Sequence, residues 1–552
     1  MFKRNLFICL LFCLSLPCIL PAQEALKSVE EEYYDFLALQ GLTERPYLNY
    51  RTFSDSAWSV DEDAPHPWQG QNLGAWHNLF GDFRMRAYGP ELFMSGNTEA
   101  PYGQNDGVLW QGRGFNALLK GGVRFEGYGV ELTLLPHFAF SQNAPFKIMP
   151  SHYENEYGYF WGYGDPQSNN GGADAPQRFG DKPFFDWDFG DSEIRYTWKT
   201  LTIGFGTQAV WMGPSYINPM LHSNNAPAYP KFDIGLRRQR VVIPWLGWYL
   251  GDVEARLWVG HLSESDYFDS DDSNDHTMFH GFSFAYAPSF LPGLTLFANR
   301  VCLVEWEWEN LKYIFPSDDN KEEDQKASLG FSWIFPQVGF EVFAEIGVDD
   351  YVGSLTSNLR RPFHTTVYNA GLKKTLKIMP EKNIYGEITF EFNWMEMTQD
   401  FQFQWPYSFY FHHAQTHGYT NRGQLLGNAS SPGGNSQYLS FSLLYPKGNS
   451  LLFITRNNPD NNFIFRNAIN NPEREGYLNE KYYKGYMANF NIGLNTNYFI
   501  NSYFMLSGGF VFNMKINPYY YFDKSDDVDP DGYKETTFLY NCSFQLCIKF
   551  VF

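Results

Sequence analysis

The sequence predicts an all-β protein, a transmembrane antiparallel β-barrel of about 18 strands with a short periplasmic helical element before it. Three observations carry this expectation. The N-terminus reads as an export signal, the C-terminus as a long alternating strand, and the chain between them alternates with a period of two, its short turns and long polar loops taking turns.

The export signal occupies residues 1–23. Lys3 and Arg4 precede an apolar stretch from Leu6 to Leu16 that continues through Pro17 to Leu20, and the small residue Ala22 stands before Gln23 and Glu24. Positive flank, apolar centre and small residue are the parts of a secretory signal peptide, with cleavage expected near Ala22 or Gln23. The apolar part is shorter than the roughly 20 residues a spanning helix needs. Pro17 before Cys18 does not suit a lipoprotein signal, so no lipid anchor is expected.

Residues 24–78 form the next unit. Within it, 28–39 reads SVEEEYYDFLAL, with acidic residues in the first turn and Gly41 just past the end, the pattern of a short helix. Pro46 stops its continuation. The helix is expected in the periplasm or against the lower mouth of a barrel that occupies residues 79–552.

In the barrel region, Val130, Leu132, Leu134, Phe138 and Phe140 alternate with Glu131, Thr133 and His137. Ile194, Tyr196 and Trp198 alternate with Glu193, Arg195 and Thr197, and Thr200 leads into Leu201, Ile203 and Phe205, a tight hairpin. The same alternation recurs over 253–259, 282–286, 294–298, 340–348, 384–394, 439–445, 486–494 and 504–516. Short turns such as Pro336-Gln337 and Lys447-Gly448-Asn449 contrast with the polar stretches 263–276, 317–325, 457–480 and 523–534. Bacterial barrels show this asymmetry, with short turns in the periplasm and long loops outside. The last strand is the clearest. Every even position from Phe538 to Phe552 is apolar, while Asn541, Ser543, Gln545 and Lys549 are polar. Its length exceeds the usual 5 or 6 residues of a globular strand, and the terminal Phe552 is expected to engage the outer-membrane insertion machinery.

The polar partners on these strands include Glu131, Glu193, Arg195, Glu254, Arg256, Glu341, Glu345, Glu387 and Glu391. A basic group facing lipid at the midplane costs about 2 to 4 kcal/mol, so these side chains are expected to face the lumen. Composition agrees: aromatics make up 19% of the 552 residues while mean hydropathy is only −0.39, as when lipid-facing and lumenal side chains alternate. No internal stretch approaches 18 consecutive apolar residues, so any spanning is by strands. The net charge of −20 disfavours nucleic acid as a partner and points to acidic surface loops beside lipopolysaccharide. Cys302, Cys542 and Cys547 remain once the signal is removed, an odd number that argues against a disulfide framework.

Few constellations suggest chemistry. In 411–435, FHHAQTHGYTNRGQLLGNASSPGGN, His413 and His417 are four apart, but Gly418, Gly423, Gly427 and Pro432 deny the segment a helix and no carboxylate sits nearby. A structured loop dipping into the lumen is expected, not a metal site. The acidic loop 263–276 fails the calcium-loop pattern, with Asn274 and His280 where Gly and Glu are required counting from Asp269. No nucleophile elbow, phosphate loop or zinc motif appears, so neither catalysis nor a cofactor is expected. Trp110, Trp161, Trp211 and Trp405 suit stacking on sugar rings, against a plainer reading as packing or girdle residues.

Several segments resemble the Wzi family of capsule-assembly proteins as found in Bacteroidetes-like bacteria: 105–116 (NDGVLWQGRGFN), 211–230 (WMGPSYINPMLHSNNAPAYP), 339–350 (GFEVFAEIGVDD) and 412–435. The helix followed by Tyr50-Arg51-Thr52 is also similar to the family's N-terminal region. The W-x-G-P and HGYTNRGQLLG stretches are the most specific, and Asn421 departs from the pattern, standing where the family has His. The resemblance implies an 18-stranded, largely blocked outer-membrane barrel that binds capsular or exopolysaccharide as a lectin at the cell surface. The alternative is a passive porin for sugars or other small solutes, suggested by the charged lumen. Residues expected to contact ligand are Trp110, Trp211, Asn224, His417, Tyr419, Arg422 and Gln424, the last four as a polar network inside the lumen. The chain is expected to act as a monomer among outer-membrane lipids.

Overall fold

The computed structural model describes residues 22–60, 65–148, 155–158, 173–314, 323–349, 355–360, 366–396, 409–412, 414–462, 487–518 and 538–551. The signal peptide up to residue 21, Trp161, Trp405, His413 and Phe552 lie outside the described residues.

Eighteen antiparallel strands close into a barrel among the described residues. They begin with β1 (Arg84–Asn97), β2 (Gly114–Gly127), β3 in two pieces (Val130–Leu134 and His137–Ser141) and β4 in two pieces (Phe184–Asp188 and Glu193–Trp198). Then come β5 (Leu201–Gly206), β6 (Lys231–Ile243), β7 (Trp248–Ser263), β8 (His276–Pro288) and β9 (Leu294–Glu305). Next are β10 (Asp324–Phe335), β11 (Phe340–Asp349), β12 (Thr366–Met379), β13 (Ile384–Trp394) and β14 (Asn435–Tyr445). Last are β15 (Gly448–Asn458), β16 (Ala488–Asn501), β17 (Phe504–Ile516) and β18 (Phe538–Val551). Each strand pairs with the next, and β18 closes on β1, from Ser543 opposite Asn97 to Val551 opposite Tyr88. The break in β3 falls at Pro136, which has no N–H to donate to the ladder.

The two faces follow the sequence alternation. On β18, Phe538, Tyr540, Phe544, Leu546 and Phe550 are exposed while Asn541 and Ser543 are fully buried. The expected inward carboxylates and guanidinium groups behave likewise: Glu131, Glu193, Arg195, Glu254, Arg256, Glu341, Glu345 and Glu391 are all buried. The connections also divide cleanly. Turns of 2 to 5 residues join strands at one end, and connections of 12 to 42 residues at the other.

The sequence-expected helix is present as α1 (Val29–Leu39), capped by the Ser28 hydroxyl, which accepts from the Glu31 N–H at 3.1 Å, with Glu30, Glu31 and Glu32 in its first turn. Of the two places expected, it takes the one against the barrel mouth, inside the lumen at the short-turn end, with nine of its eleven residues buried. Tyr33, Phe36 and Leu37 pack with Trp68 and with the wall residues Leu444, Phe499 and Met505. A second apolar cluster fills the lumen between β7 and β12, built from Tyr50, Met212, Met220, Leu221, Tyr419 and Leu426 against Trp258, Phe279 and Val301. The lumen is therefore occupied by the N-terminal segment from one end and, from the other, by the loop 207–230 and by residues 409–412 and 414–434 of a second long loop.

Candidate functional site

Charge on the inner wall decides what the lumen can hold. Over β2–β7 and β11–β12 the wall is dense in Arg, Lys, Asp and Glu, and these groups are matched to the N-terminal segment. Arg45 bonds Asp35 at 2.7 Å and grips both oxygens of Glu341 on β11, at 2.7 and 2.8 Å. Lys373 on β12 reaches Asp35 at 2.6 Å, and Lys549 on β18 reaches Glu30 at 2.6 Å. Asp55 takes Arg237 at 2.8 Å and Arg256 at 3.0 Å, and Arg86 holds Glu24 at 2.8 Å. Buried charge is tolerable only when paired in this way.

Two wall carboxylates hold peptide instead. Glu254 on β7 accepts from the N–H groups of Leu48, Asn49 and Tyr50 at 2.8, 3.0 and 2.7 Å. Glu391 on β13 accepts from Tyr216, Ile217 and Asn218 at 2.5, 3.1 and 3.0 Å. The second clamp holds the W-x-G-P stretch, where Gly213 has φ +84° and a Cβ would lie 2.6 Å from a Glu345 oxygen. Only glycine meets both conditions without strain.

The opposite wall, β14–β18, is uncharged along most of its inner face. On β16 the inward positions are Asn489, Asn491, Gly493, Asn495 and Asn497. Asn513 on β17 stands directly opposite Asn491 and donates to its side-chain oxygen, Asn491 donates to Thr455 at 2.5 Å, and Asn497 donates to Asn449 at 2.9 Å. Aromatic rings continue this surface: Tyr438 is 5.5 Å from Tyr216 and stacks on Phe453 at 6.1 Å. Two cavities adjoin here and share Lys27, Glu32, Asn105, Asp106, Tyr216 and Gln545: one of about 540 Å³ runs along this wall, and one of about 390 Å³ reaches past β18 to the charged Glu91, Lys120 and Asp188 on β1, β2 and β4. Lys27 and Glu32 are paired at 2.8 Å, and Lys27 lies 3.6 Å over the Tyr216 ring. Burial pushes Asp106 up to about 7, against the Gln111 amide bonded to it at 2.7 Å.

The sequence-expected ligand residues are scattered over this architecture. Asn224 lines the smaller cavity, with its side-chain oxygen buried and without a partner. It meets Gln424 at one turn, since Gly107 donates to the Asn224 carbonyl and accepts from the Gln424 amide, both at 2.9 Å. Trp110 packs 5.1 Å from Phe179. Trp211 is buried inside the plug, its indole N–H on the Ser215 carbonyl at 3.0 Å and Arg51 and Lys27 over its ring. His417, Tyr419, Arg422 and Gln424 do not bond one another. His417 is bonded to the Thr277 hydroxyl at 3.0 Å, and burial pushes its imidazole down to about 4. Tyr419 donates to the Leu221 carbonyl at 2.8 Å, and Arg422 is paired with Asp186. Each ties the loop to a different neighbour, so the expected single network is a set of separate anchors. Asn421 is another such anchor, accepting from the Ser263 N–H at 3.0 Å and donating to the Pro227 carbonyl at 2.9 Å. Among the described residues no group of three or more His, Cys, Asp and Glu is placed to hold a metal.

The asparagine wall went unread in the sequence, although 488–498, ANFNIGLNTNY, carries it openly as polar amides at every inward position but one.

Comparison with known proteins places these features in context. The family described as capsule assembly protein Wzi matches residues 184–474, just over half of the chain. Among solved structures, the chain is similar to Wzi of Escherichia coli, titled a carbohydrate-binding β-barrel of the outer membrane involved in group 1 capsule assembly. The two are 13% identical with a TM-score of 0.52, and 85% of either chain is covered. OccD3 of Pseudomonas aeruginosa is 10% identical at a TM-score of 0.38, with 89% of this chain and 96% of that one covered. OprB of Pseudomonas putida is 9% identical at 0.34, with 85% and 94% covered. At such identities the first likeness speaks to the fold alone. No curated protein sequence matches.

Proposed function

Because the chain belongs to the Wzi family of capsule assembly proteins, we propose that it holds capsular or extracellular polysaccharide at the surface of the outer membrane, by binding and without catalysis. The observation that carries this reading is the division of the lumen. The charged wall is consumed in holding the plug, while an amide- and tyrosine-lined cavity is left on the other side. Amides and flat rings recognise hydroxyl-rich, uncharged surfaces. The long connections gather at the end that faces outside in bacterial barrels, where a cell-surface polymer is met.

Around this function, the exposed apolar belt suits outer-membrane lipid and its lipopolysaccharide. Phe552 serves the insertion machinery, and closure of β18 on β1 removes the open edge through which strands associate, in keeping with a monomer. Asn224 is the proposed ligand contact with the best support, because it lines a cavity with an unpaired oxygen. Trp110, Trp211, His417, Tyr419, Arg422 and Gln424 act through the shape of the loops they anchor.

The test is retention of polymer on cells. Deleting the gene is expected to release polysaccharide from the cell-bound fraction into the medium with total production unchanged, and complementation to restore it. An unchanged cell-bound fraction would sink the reading.

A further inference from the structure

Resting on that reading, we propose that the cavity between β14–β18 and the loops at 101–106, 216–218 and 429–430 is a lumenal subsite for a short uncharged segment of the polysaccharide, held by asparagine side chains and stacked on tyrosine. The polymer is thus gripped inside the barrel, not only draped over its loops.

Size, lining and unmet hydrogen bonding point the same way. About 540 Å³ lies within the 300 to 1,000 Å³ range of small-molecule sites. Three wall amides, Asn489, Asn495 and Asn513, have side-chain oxygens that are buried and accept no hydrogen bond among the described residues. Asn513 is only 2% exposed. Buried acceptors of this kind call for donors, and a sugar hydroxyl is both donor and acceptor. Opposite Asn495, β17 carries Gly509, which lets the Asn495 and Gln545 side chains close together over it, since a Cβ there would lie 2.4 Å from the Asn495 oxygen. Beside the amides the half-buried Tyr216 ring lines the cavity, backed by the buried Tyr438–Phe453 stack, and Gly493 is needed there, since a Cβ would lie 2.3 Å from the Phe453 ring.

The charge balance selects the ligand class. Of the charged groups lining the larger cavity, Lys27 and Glu32 neutralise each other and Asp106 is held toward its uncharged form by burial. Lys515 lies at the long-loop end of β17, away from the amide ladder's centre. A neutral saccharide fits this lining with least desolvation cost.

The experiment uses purified full-length protein in detergent and two probes from the producing strain: intact polysaccharide, and fragments of two to four sugars released from it. Wild type is expected to bind both. Asn513→Ala removes one unpaired wall acceptor and the amide that bonds Asn491, and is expected to weaken fragment binding at least about fivefold; Thr455→Trp, which pushes an indole into the cavity, is expected to abolish it. Fragment affinity is expected to stay within about twofold between low and high salt, as for an uncharged ligand. If wild type binds polymer while both variants bind fragments like wild type, the lumenal subsite is wrong and surface binding stands. A steep fall of fragment affinity with salt overturns the uncharged class. If wild type binds neither probe, the proposed function itself fails. Asn513→Ala changes one inward side chain, so it keeps the test decisive should Thr455→Trp not fold.

Discussion

Glu391 illustrates how single residues hold the lumen. Its two oxygens take three consecutive N–H groups, from Tyr216, Ile217 and Asn218, and thereby fix the loop that carries the W-x-G-P stretch. Glu391→Ala leaves those donors without a partner, and each buried unsatisfied group costs about 1 to 3 kcal/mol. A loss of roughly 3 kcal/mol is expected, read as a lower thermal midpoint in detergent and faster proteolysis within 207–230, with Glu391→Gln milder because one acceptor oxygen remains. Asp106 responds to pH. Its folded value, about 7, lies above the ordinary carboxylate range, so the folded protein binds this proton more tightly than the unfolded chain does. The resulting stabilisation is complete below pH about 4 and is lost as pH rises through 7. The difference in thermal midpoint between wild type and Asp106→Asn is therefore expected to favour wild type less at pH 8 than at pH 5; a difference that does not change with pH would contradict this.

At the scale of elements, α1 is an amphipathic helix turned inside out relative to a soluble surface helix. Its aromatic face packs on Trp68, with the Tyr33 ring 3.9 Å away and nearly parallel, while its carboxylates meet basic groups projecting from the wall. The helix is thus held by packing and by ion pairs whose other halves sit on β12 and β18. Replacing both Glu30 and Asp35 by Ala strands Lys373 and leaves Lys549 with only the longer contact to Glu91, 3.7 Å, and breaking one side of a buried pair costs about 3 to 5 kcal/mol. The double variant is expected to show faster hydrogen exchange throughout 29–39 with strand protection kept in β14–β17. Equal loss in helix and strands would mean that the plug and barrel form one cooperative unit.

For the whole molecule, the decisive property is that the two halves of the lumen have different chemistry. The charged half is largely paired and filled by the N-terminal segment and by residues 207–230, 409–412 and 414–434; the larger cavity lies along the amide half. At the point where the two cavities adjoin stand Lys27, Glu32 and Tyr216, two of them from the N-terminal segment and one from the loop 207–230. A barrel so filled is expected to show no steady open current in planar bilayers, whereas a passive porin conducts continuously. Steady currents from wild-type protein would favour solute passage over polymer holding.

How much of this was legible beforehand follows from which interactions are local. The faces of β18 could be read because a strand's side chains alternate and lipid accepts only one kind, so Phe544 and Ser543 had no choice of side. Ser28 as a helix cap was equally local. The segment 411–435 was recognised as a lumenal loop, yet His417 and Arg422 were expected to meet each other, and instead each meets a residue more than a hundred positions away, Thr277 and Asp186. Trp211 was expected toward ligand and lies under Arg51, because the strand pairing of 211–212 with 50–51 cannot be read from either segment alone.

By itself, then, the sequence determined the barrel, its two faces and the inward placement of its charges, since lipid on one side imposes a period of two on every strand. Only the tertiary structure decided which inward groups are spent on the plug and which are left to line a cavity. That division depends on pairs such as Arg45 with Glu341 and Lys549 with Glu30, hundreds of residues apart, where the field of one side chain settles the fate of another.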